Sequence, residues 1–160
     1  MYKGPSAGGR RGMPDVVAML TATVAAGLFA GAATYVTVAE HPARLECGPV
    51  VGIREFGPSY RRAAVMQGGL ALVGLLASVL AWYQGHGVGW LVCGLLLGSL
   101  IPFTLLVIMP TNRRLLDPGL DVASGEARDL LQRWGRLHAV RTVVGIAVFA
   151  AFAGMSLRWP

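Results

Sequence analysis

The stretch AAVMQGGLALVGLLASVLAWYQGHGVGWLVCGLLLGSLIPFTLLVIMPTN, residues 63–112, contains no Asp, Glu, Lys or Arg. A soluble domain does not tolerate such a run, because its surface needs charged side chains. A helix needs about 20 predominantly apolar residues to cross a hydrocarbon core of about 30 Å. The stretch is therefore long enough for two membrane spans, joined by a turn at residues 83–87, where Gln84, Gly85, His86 and Gly87 gather.

Two further charge-free runs, at residues 16–39 and 142–157, raise the number of spans to four. Helices are predicted because lipid offers the backbone no hydrogen-bond partner, and the ten-residue alternation of a membrane barrel is missing. Ser124 can cap a helix that carries Glu126 in its first turn and continues into the last span. The sequence predicts an all-α integral membrane four-helix bundle with a helical extension before the fourth span. Residues 1–15 form a flexible tail and 16–160 the membrane domain, with spans near 16–39, 63–82, 88–109 and 139–158.

The first apolar run has one alternative interpretation, a cleaved signal peptide preceded by Arg10 and Arg11. It exceeds twenty residues, whereas the apolar region of a signal peptide has about 7–15. We therefore interpret it as a span. Cys47 and Cys93 fall near opposite ends of the predicted bundle, too far apart for a disulfide, so both thiols are expected to be free.

The distribution of basic residues predicts how the chain crosses a cell membrane. Four spans place the connections 40–62 and 110–140 on one side, and the termini and the 83–87 turn on the other. Ten of the fourteen Lys and Arg residues, counting Arg141, belong to the first set. The positive-inside rule then puts both long connections in the cytoplasm and both termini outside. The formal charge of +6 follows from this topology and does not indicate a nucleic-acid partner.

Small residues favour close helix packing. Gly27 and Gly31 in the first span, and Gly94 and Gly98 in the third, have the spacing that lets two helix backbones approach. Packing within one chain is the preferred interpretation, and a homo-oligomer is left open. Pro102 should bend the third span, since it cannot donate a helical hydrogen bond.

Polar residues converge on the membrane face next to the long connections. Trp134, His138, Arg141 and Gly145 have the spacing of one helix face. A guanidinium in the membrane should point into the bundle or reach outward to the interface, since facing lipid would cost several kcal/mol. His41, Thr111 and Asn112 belong to the same membrane face by topology. His86 belongs to the opposite side, about 30 Å away, and is interpreted as a solvated turn residue. Glu40, Glu46 and Glu55 are weaker candidates, because the first connection also holds Arg44, Arg54, Arg61 and Arg62. These charges are interpreted as loop ion pairs or contacts with lipid headgroups.

Three segments carry a resemblance to a known family. HPARLE (His41–Glu46), PFTLLVIMPTNRRL (Pro102–Leu115) and RWGRLHAVRT (Arg133–Thr142) resemble the signature segments of the small four-span anthrone oxygenase-like proteins. Some members of that family oxidise polyketide anthrones to anthraquinones with dioxygen. The resemblance implies a membrane oxygenase whose partners are the lipid bilayer, a hydrophobic aromatic substrate and dioxygen.

That reaction assigns expected roles to the converging residues. His41 or His138 would be the base that removes an acidic methylene proton. Asn112 and Arg141 would stabilise the oxyanion that forms. Trp134 would stack on the ring system and Thr111 would contribute to substrate binding. The preferred interpretation requires no cofactor.

Two alternatives remain open from the sequence. His41 and His138, together with Asn112, Glu46 or Cys47, could bind copper or iron in a metal-dependent membrane oxidase, since imidazole suits both metals. The chain could also be a non-catalytic membrane protein that binds a lipid or a quinone. Metal analysis distinguishes the first alternative, and tolerance of histidine replacement distinguishes the second.

Overall fold

The computed structural model describes residues 13–158, which form four long helices and, over that range, no strand. The helices are α1 (Met13–Glu46), α2 (Gly48–Tyr83), α3 (Val88–Leu115) and α4 (Gly125–Leu157), and each is long and apolar enough to cross a membrane. The predicted all-α fold is confirmed, and the four apolar helices fit a multi-pass membrane protein. The predicted tail lies mostly outside the described residues, but α1 begins within it, at Met13.

The helices are longer than the predicted spans. Residues 40–62, predicted to be a loop, are helical except for a one-residue turn at Cys47. The connection predicted at 110–140 is reduced to residues 116–124, because α3 continues to Leu115 and α4 already begins at Gly125. The loop prediction failed because the charges of residues 40–62 were taken to exclude a continuous helix. The prolines are also accommodated: Pro49 stands in the first turn of α2, where its missing N–H would have had no helical partner. Pro42 and Pro58 lie within α1 and α2.

Two helices contain a π-helical segment, Val36–Glu40 in α1 and Thr104–Ile108 in α3. Each segment ends two residues before a proline, Pro42 or Pro110. A proline interrupts the regular hydrogen-bond ladder and crowds the carbonyl four residues earlier, so the ladder is already irregular where the π turns occur. Both segments lie beside the polar residues described below.

The helices pack in the cyclic order α1, α2, α3, α4, with α4 closer to α1 than to α3. Ala22, Ala26 and Ala33 of α1 are almost completely buried in the core of the membrane portion, which the aromatic pair Trp90 and Phe152 also fills. A second apolar cluster lies at the end of the bundle that bears the long connections. It consists of Val36, Phe56, Ile108, Leu115, Leu131 and Trp134.

Three of the four glycines that were predicted to allow close helix packing face a neighbouring helix of the same chain. A side chain at Gly27 would press on Phe149, one at Gly94 on Ser78 and one at Gly98 on Leu75. Gly31 is different, because a Cβ there would meet nothing within 4 Å. At these three positions, the close approach of the neighbouring helix requires a residue without a side chain.

The connection between α3 and α4 is fixed by charge. Arg114 donates to Asp117 at 2.6 Å and to Glu126 at 2.7 Å. The backbone N–H of Gly119 and the Arg114 guanidinium hold the pKa of Asp117 below its usual range. The Ser124 hydroxyl accepts from the N–H of Ala127, which confirms the predicted cap. The start of α4 is thereby tied to the end of α3.

Candidate functional site

Trp134 is the centre of a buried aromatic cluster. Its ring stacks on His138 with a centroid distance of 4.8 Å and contacts His41 at 5.3 Å. Phe56 meets it edge-on at 5.3 Å. The three predicted site residues of this group are buried, with 7% of His41, 6% of Trp134 and 4% of His138 exposed. The predicted convergence of α1 and α4 at this end of the bundle is therefore present, with both imidazoles against one indole.

His138 is held by a chain of hydroxyl groups. Its Nδ1 lies 3.1 Å from the Thr37 hydroxyl, which lies 2.7 Å from the Thr142 hydroxyl. Thr142 in turn donates to the carbonyl of Ala33 at 3.1 Å. Since a carbonyl only accepts, all three bonds form together only if Thr37 donates to Thr142 and Nδ1–H donates to Thr37. This chain leaves Nε2 of His138 with the lone pair.

His41 has a different environment. Gly135 provides the space for its ring, because a Cβ at that position would overlap it. Arg44 lies 3.5 Å from Nδ1 of His41. Since a guanidinium can only donate, Nδ1 would be the acceptor in that contact. The nitrogen lone pair of His41 is therefore directed at Arg44, unlike that of His138.

Arg44 is a site residue that the sequence interpretation placed among loop charges. Only 5% of the residue is exposed. Its guanidinium pairs with Glu40 and Glu55 and lies 5.5 Å from the Trp134 ring centroid. Ser59 donates to Glu40 at 2.7 Å. Ion pairs in this segment were one of the two interpretations, but the burial of Arg44 was not predicted, because residues 40–62 were taken as a loop.

Arg141 points into the bundle, one of the two orientations that the sequence allows. Its guanidinium donates to the Thr104 hydroxyl at 3.0 Å and to the Gln67 side-chain oxygen at 2.8 Å. It also lies 5.5 Å from the Phe29 ring centroid. Both hydrogen-bond acceptors are neutral, and Nε is buried without an acceptor. Within residues 13–158, no carboxylate forms an ion pair with Arg141.

Asn112 is completely buried, and neither its amide nitrogen nor its amide oxygen has a protein partner among the described residues. Native proteins rarely leave such buried polar groups without a hydrogen-bond partner, which indicates that a ligand or a water molecule binds to this side chain. The neighbouring Thr111 is also buried with an unsatisfied hydroxyl. Thr111 does not line the cavity beside Asn112, so its assignment to substrate binding stays a prediction.

Asn112, His138 and Arg141 line one small cavity, the site chamber, of about 30 Å³. Trp134 and Phe56 form part of its apolar wall. The chamber can hold one or two water-sized molecules, since each needs roughly 10–15 Å³ by this measure. His41 does not line it. The other polar side chains around it are Glu40, Arg44, Ser59, Tyr60, Gln67 and Thr104.

A resident metal would need ligands that His41 and His138 do not supply alone. Over residues 13–158, no three His, Cys, Asp or Glu side chains are grouped so that they could hold a metal ion. Cys47 and Cys93 are both free, as expected from their positions. The two histidines instead share contacts with Trp134.

His86 corrects another interpretation. It lies at the opposite end of the bundle, as predicted, but it is not a solvated turn residue. Only 4% of its side chain is exposed, and Nε2 lies 3.9 Å from the Asp15 carboxylate. The α2–α3 turn packs its histidine against the first turn of α1, so His86 has a structural environment.

Several site residues were missed in the sequence, namely Thr37, Arg44, Tyr60, Gln67 and Thr104. Gln67 carried a usable signal, because a polar amide within an apolar span usually faces the protein interior. Thr37 and Thr104 carried a weaker one, since threonine also satisfies its hydroxyl on its own helix, as Thr104 does on the Leu100 carbonyl.

Comparison with known proteins agrees with the resemblance to the anthrone oxygenase-like family. The family model described as anthrone oxygenase matches residues 56–151. The chain is 29% identical over 138 residues to the anthrone oxygenase tpcL of Aspergillus fumigatus, covering 80% of this chain and 86% of that protein. It is 31% identical over 80 residues to an anthrone oxygenase of Claviceps purpurea, covering 44% and 46% respectively. No solved structure matches the chain significantly. Since the family model spans more than half of the sequence, the chain belongs to the anthrone oxygenase family.

Proposed function

We propose that this protein is a membrane oxygenase that oxidises a flat, hydrophobic, anthrone-like aromatic with dioxygen. The observation that carries the proposal is the buried guanidinium of Arg141, which has no carboxylate partner within residues 13–158 and lines the same chamber as His138 and Asn112. Such a cation stabilises an oxygen that becomes negative during a reaction. The names of the relatives supply the substrate class.

Proton removal is the first step. The methylene group of an anthrone is acidic because the electron pair left behind spreads onto the opposite carbonyl oxygen. Nε2 of His138 takes the proton, since its Nδ1–H is committed to Thr37. Arg141 and the N–H groups of Asn112 stabilise the enolate oxygen. His41 is the weaker candidate base, because Arg44 faces its Nδ1.

Oxygen insertion then needs no further reductant. The enolate carbon transfers electrons to dioxygen in one-electron steps and a C–O bond forms. Protonation of the outer oxygen gives a hydroperoxide. Loss of the remaining proton from that carbon, with cleavage of the O–O bond, releases water and leaves a carbonyl. The carbon loses four electrons and dioxygen gains four, so one CH₂ and one O₂ become one C=O and one H₂O.

Isotope labelling in lipid nanodiscs tests this proposal. With ¹⁸O₂ and an anthrone, we expect one labelled oxygen in each quinone and uptake of one dioxygen per product, above the rate of a protein-free control. His138→Ala should reduce the enzymatic rate to that control. A wild-type rate equal to the control would contradict the oxygenase and favour the non-catalytic binder of a lipid or quinone.

The metal-dependent alternative is tested on the same sample. Copper and iron are quantified in the detergent-purified protein, and turnover is measured before and after chelation. Less than one metal ion per ten active chains, with turnover unaffected by chelation, is expected. Stoichiometric copper or iron that His41→Ala and His138→Ala both remove would instead favour the metal-dependent oxidase.

A further inference from the structure

A second cavity, of about 130 Å³, adjoins the site chamber on the side where α2 faces α3. Small residues of α2 form one edge and larger apolar residues of α3 form the other. We call this opening the α2–α3 window. Its edges are Ala64, Gly68 and Ala71 on α2 and Ile101, Leu105 and Met109 on α3. Leu105 is 56% exposed, and within a membrane that exposure is toward lipid.

The inner end of the window is polar. Gln67, Thr104 and Arg141 line both the window and the site chamber. Arg141 therefore lies at the boundary between an apolar opening and a small polar cavity. Because only 9% of Arg141 is exposed and its Nε has no acceptor among residues 13–158, an oxygen arriving through the window would meet a guanidinium with free donor capacity.

Size separates the two compartments. A three-ring aromatic cannot fit in the chamber of about 30 Å³, which has room for one or two water-sized molecules. The window has several times that volume and is open at its lipid side, so rings can extend beyond it. The chamber is left for a diatomic or triatomic molecule such as dioxygen or water.

We propose that the aromatic substrate enters laterally from the bilayer through the α2–α3 window and stops with its carbonyl oxygen on Arg141. Because the reacting methylene lies opposite the carbonyl across the central ring, we place the line from the carbonyl oxygen to that carbon along α4, from Arg141 toward His138 one turn away. In this orientation the methylene edge borders the chamber, which supplies dioxygen and His138. The substrate class in this inference rests on the proposed function. The path itself rests on the apolar edges, the lipid-side opening and the cationic inner end. Gly68 and Leu105 set the width of the window.

The chain offers matched pairs of variants that test this path. A Cβ at Gly68 or at Gly69 would meet nothing within 4 Å, but only Gly68 lines the window. In nanodiscs, Gly68→Leu should lower kcat/KM for an anthrone and weaken equilibrium binding of the corresponding anthraquinone, each at least tenfold. Gly69→Leu should leave both within twofold.

A second pair of variants tests the same path independently, in case the Gly68 variant does not fold. Leu105 lines the window, whereas its neighbour Leu106 is 75% exposed and does not. Leu105→Trp should again weaken binding and turnover tenfold, with Leu106→Trp close to wild type. Thermal unfolding is measured for all four variants to check that each of them is folded.

The outcomes distinguish a failure of the proposed entry path from a failure of the proposed oxygenase reaction. If wild type oxidises the anthrone but both members of each pair behave alike, the window is overturned and the oxygenase stands. If wild type shows no turnover, yet anthraquinone binding depends on Gly68 and Leu105 and not on their neighbours, the window stands and the reaction is overturned.

Discussion

At the scale of single residues, Arg141 is the part of the candidate site on which the proposed reaction depends most. A buried cation held only by neutral oxygens is less stable than one paired with a carboxylate. Gln67 and Thr104 fix its orientation from two other helices without neutralising it. From the sequence, the cost of facing lipid excluded a lipid-facing guanidinium but left two directions open, into the bundle or outward to the interface. The sequence did not identify Gln67 or Thr104, because no spacing rule connects residues on different helices.

Replacement of Arg141 by lysine is the first test at this scale. Arg141→Lys keeps the charge but loses the planar group that reaches Thr104 and Gln67 together. We expect kcat/KM to fall about 100-fold, the size typical of a lost oxyanion donor. Arg113→Lys, at an exposed position on α3, is the control and should keep wild-type kinetics. An Arg141→Lys enzyme within threefold of wild type would show that charge alone suffices.

His138 gives the second prediction. His138→Ala should lower turnover at least about 100-fold, the range of general base catalysis, while the purified protein keeps its helical circular dichroism. His41→Ala should also impair turnover. His86→Ala should leave turnover unchanged but lower Tm, because it removes a buried contact with Asp15. Full turnover by His138→Ala would make that histidine structural and leave His41 as the sole candidate base.

Thr37 gives the third prediction, which addresses the tautomer of His138. Thr37→Val preserves shape but removes the acceptor of Nδ1–H. We expect kcat to fall about tenfold, equivalent to roughly one hydrogen bond. The ¹⁵N chemical shifts of His138 should show loss of the Nδ1–H tautomer. Thr23→Val is the matched control on the same helix, since Thr23 bonds to Met19 and Ser156 instead. Equal shifts in both variants would refute the hydroxyl chain.

At the scale of elements, the sequence predicted the helices better than their ends. Charge-free runs identify spans because lipid penalises charge. Residues 40–62 carry four arginines and three prolines, so the same criterion assigned them to a loop. Tertiary contacts nevertheless stabilise a helix in this segment, because Arg44 pairs there with two carboxylates and packs against two aromatic rings. A single sequence does not show such partners before the helices are placed together.

Gly135 supplies the prediction at this scale, since it lets α4 approach the ring of His41. Gly135→Ala should displace that ring, lower turnover about tenfold or more and lower Tm, because overpacking typically costs roughly 1–3 kcal/mol. Gly154→Ala, on the same helix with nothing within 4 Å of its Cβ, should be neutral or stabilise by up to about 1 kcal/mol. Turnover and thermal unfolding of both variants check this. Wild-type behaviour of Gly135→Ala would mean that His41 is free to move.

At the scale of the whole molecule, the bundle places the site at one membrane face. The α1–α2 and α3–α4 connections lie at that end, and the α2–α3 turn lies at the other. Arg44 and Arg141 are buried in the candidate site, so they should not be counted when the basic residues on the two sides of the membrane are compared. Without them, eight Lys and Arg residues remain on the side of the long connections and four on the other side. The direction of the imbalance is unchanged.

Topology is the prediction for the whole molecule. In a background with Cys47→Ser and Cys93→Ser, single cysteines replace Tyr83 or Asp121, which are exposed at opposite ends of the bundle. An impermeant thiol reagent should label Tyr83→Cys in intact cells and Asp121→Cys only after permeabilisation, since basic connections stay in the cytoplasm. The reverse labelling would place the site on the outer face.

The two π-helical segments have a consequence for how relatives of this chain should be aligned. A π turn holds one residue more than an α turn, so each segment is equivalent to a one-residue insertion in a regular helix. Every residue beyond it is turned by about 100° relative to an uninterrupted helix. In α1 the turned part carries His41 and Arg44, and in α3 it carries Thr111 and Asn112. A relative that has a regular α-helix in place of a π segment would therefore keep the direction of its motif side chains only if the alignment shows a single-residue gap before the motif. Without that gap its motif side chains would be turned by about 100°, even though the motif letters still match.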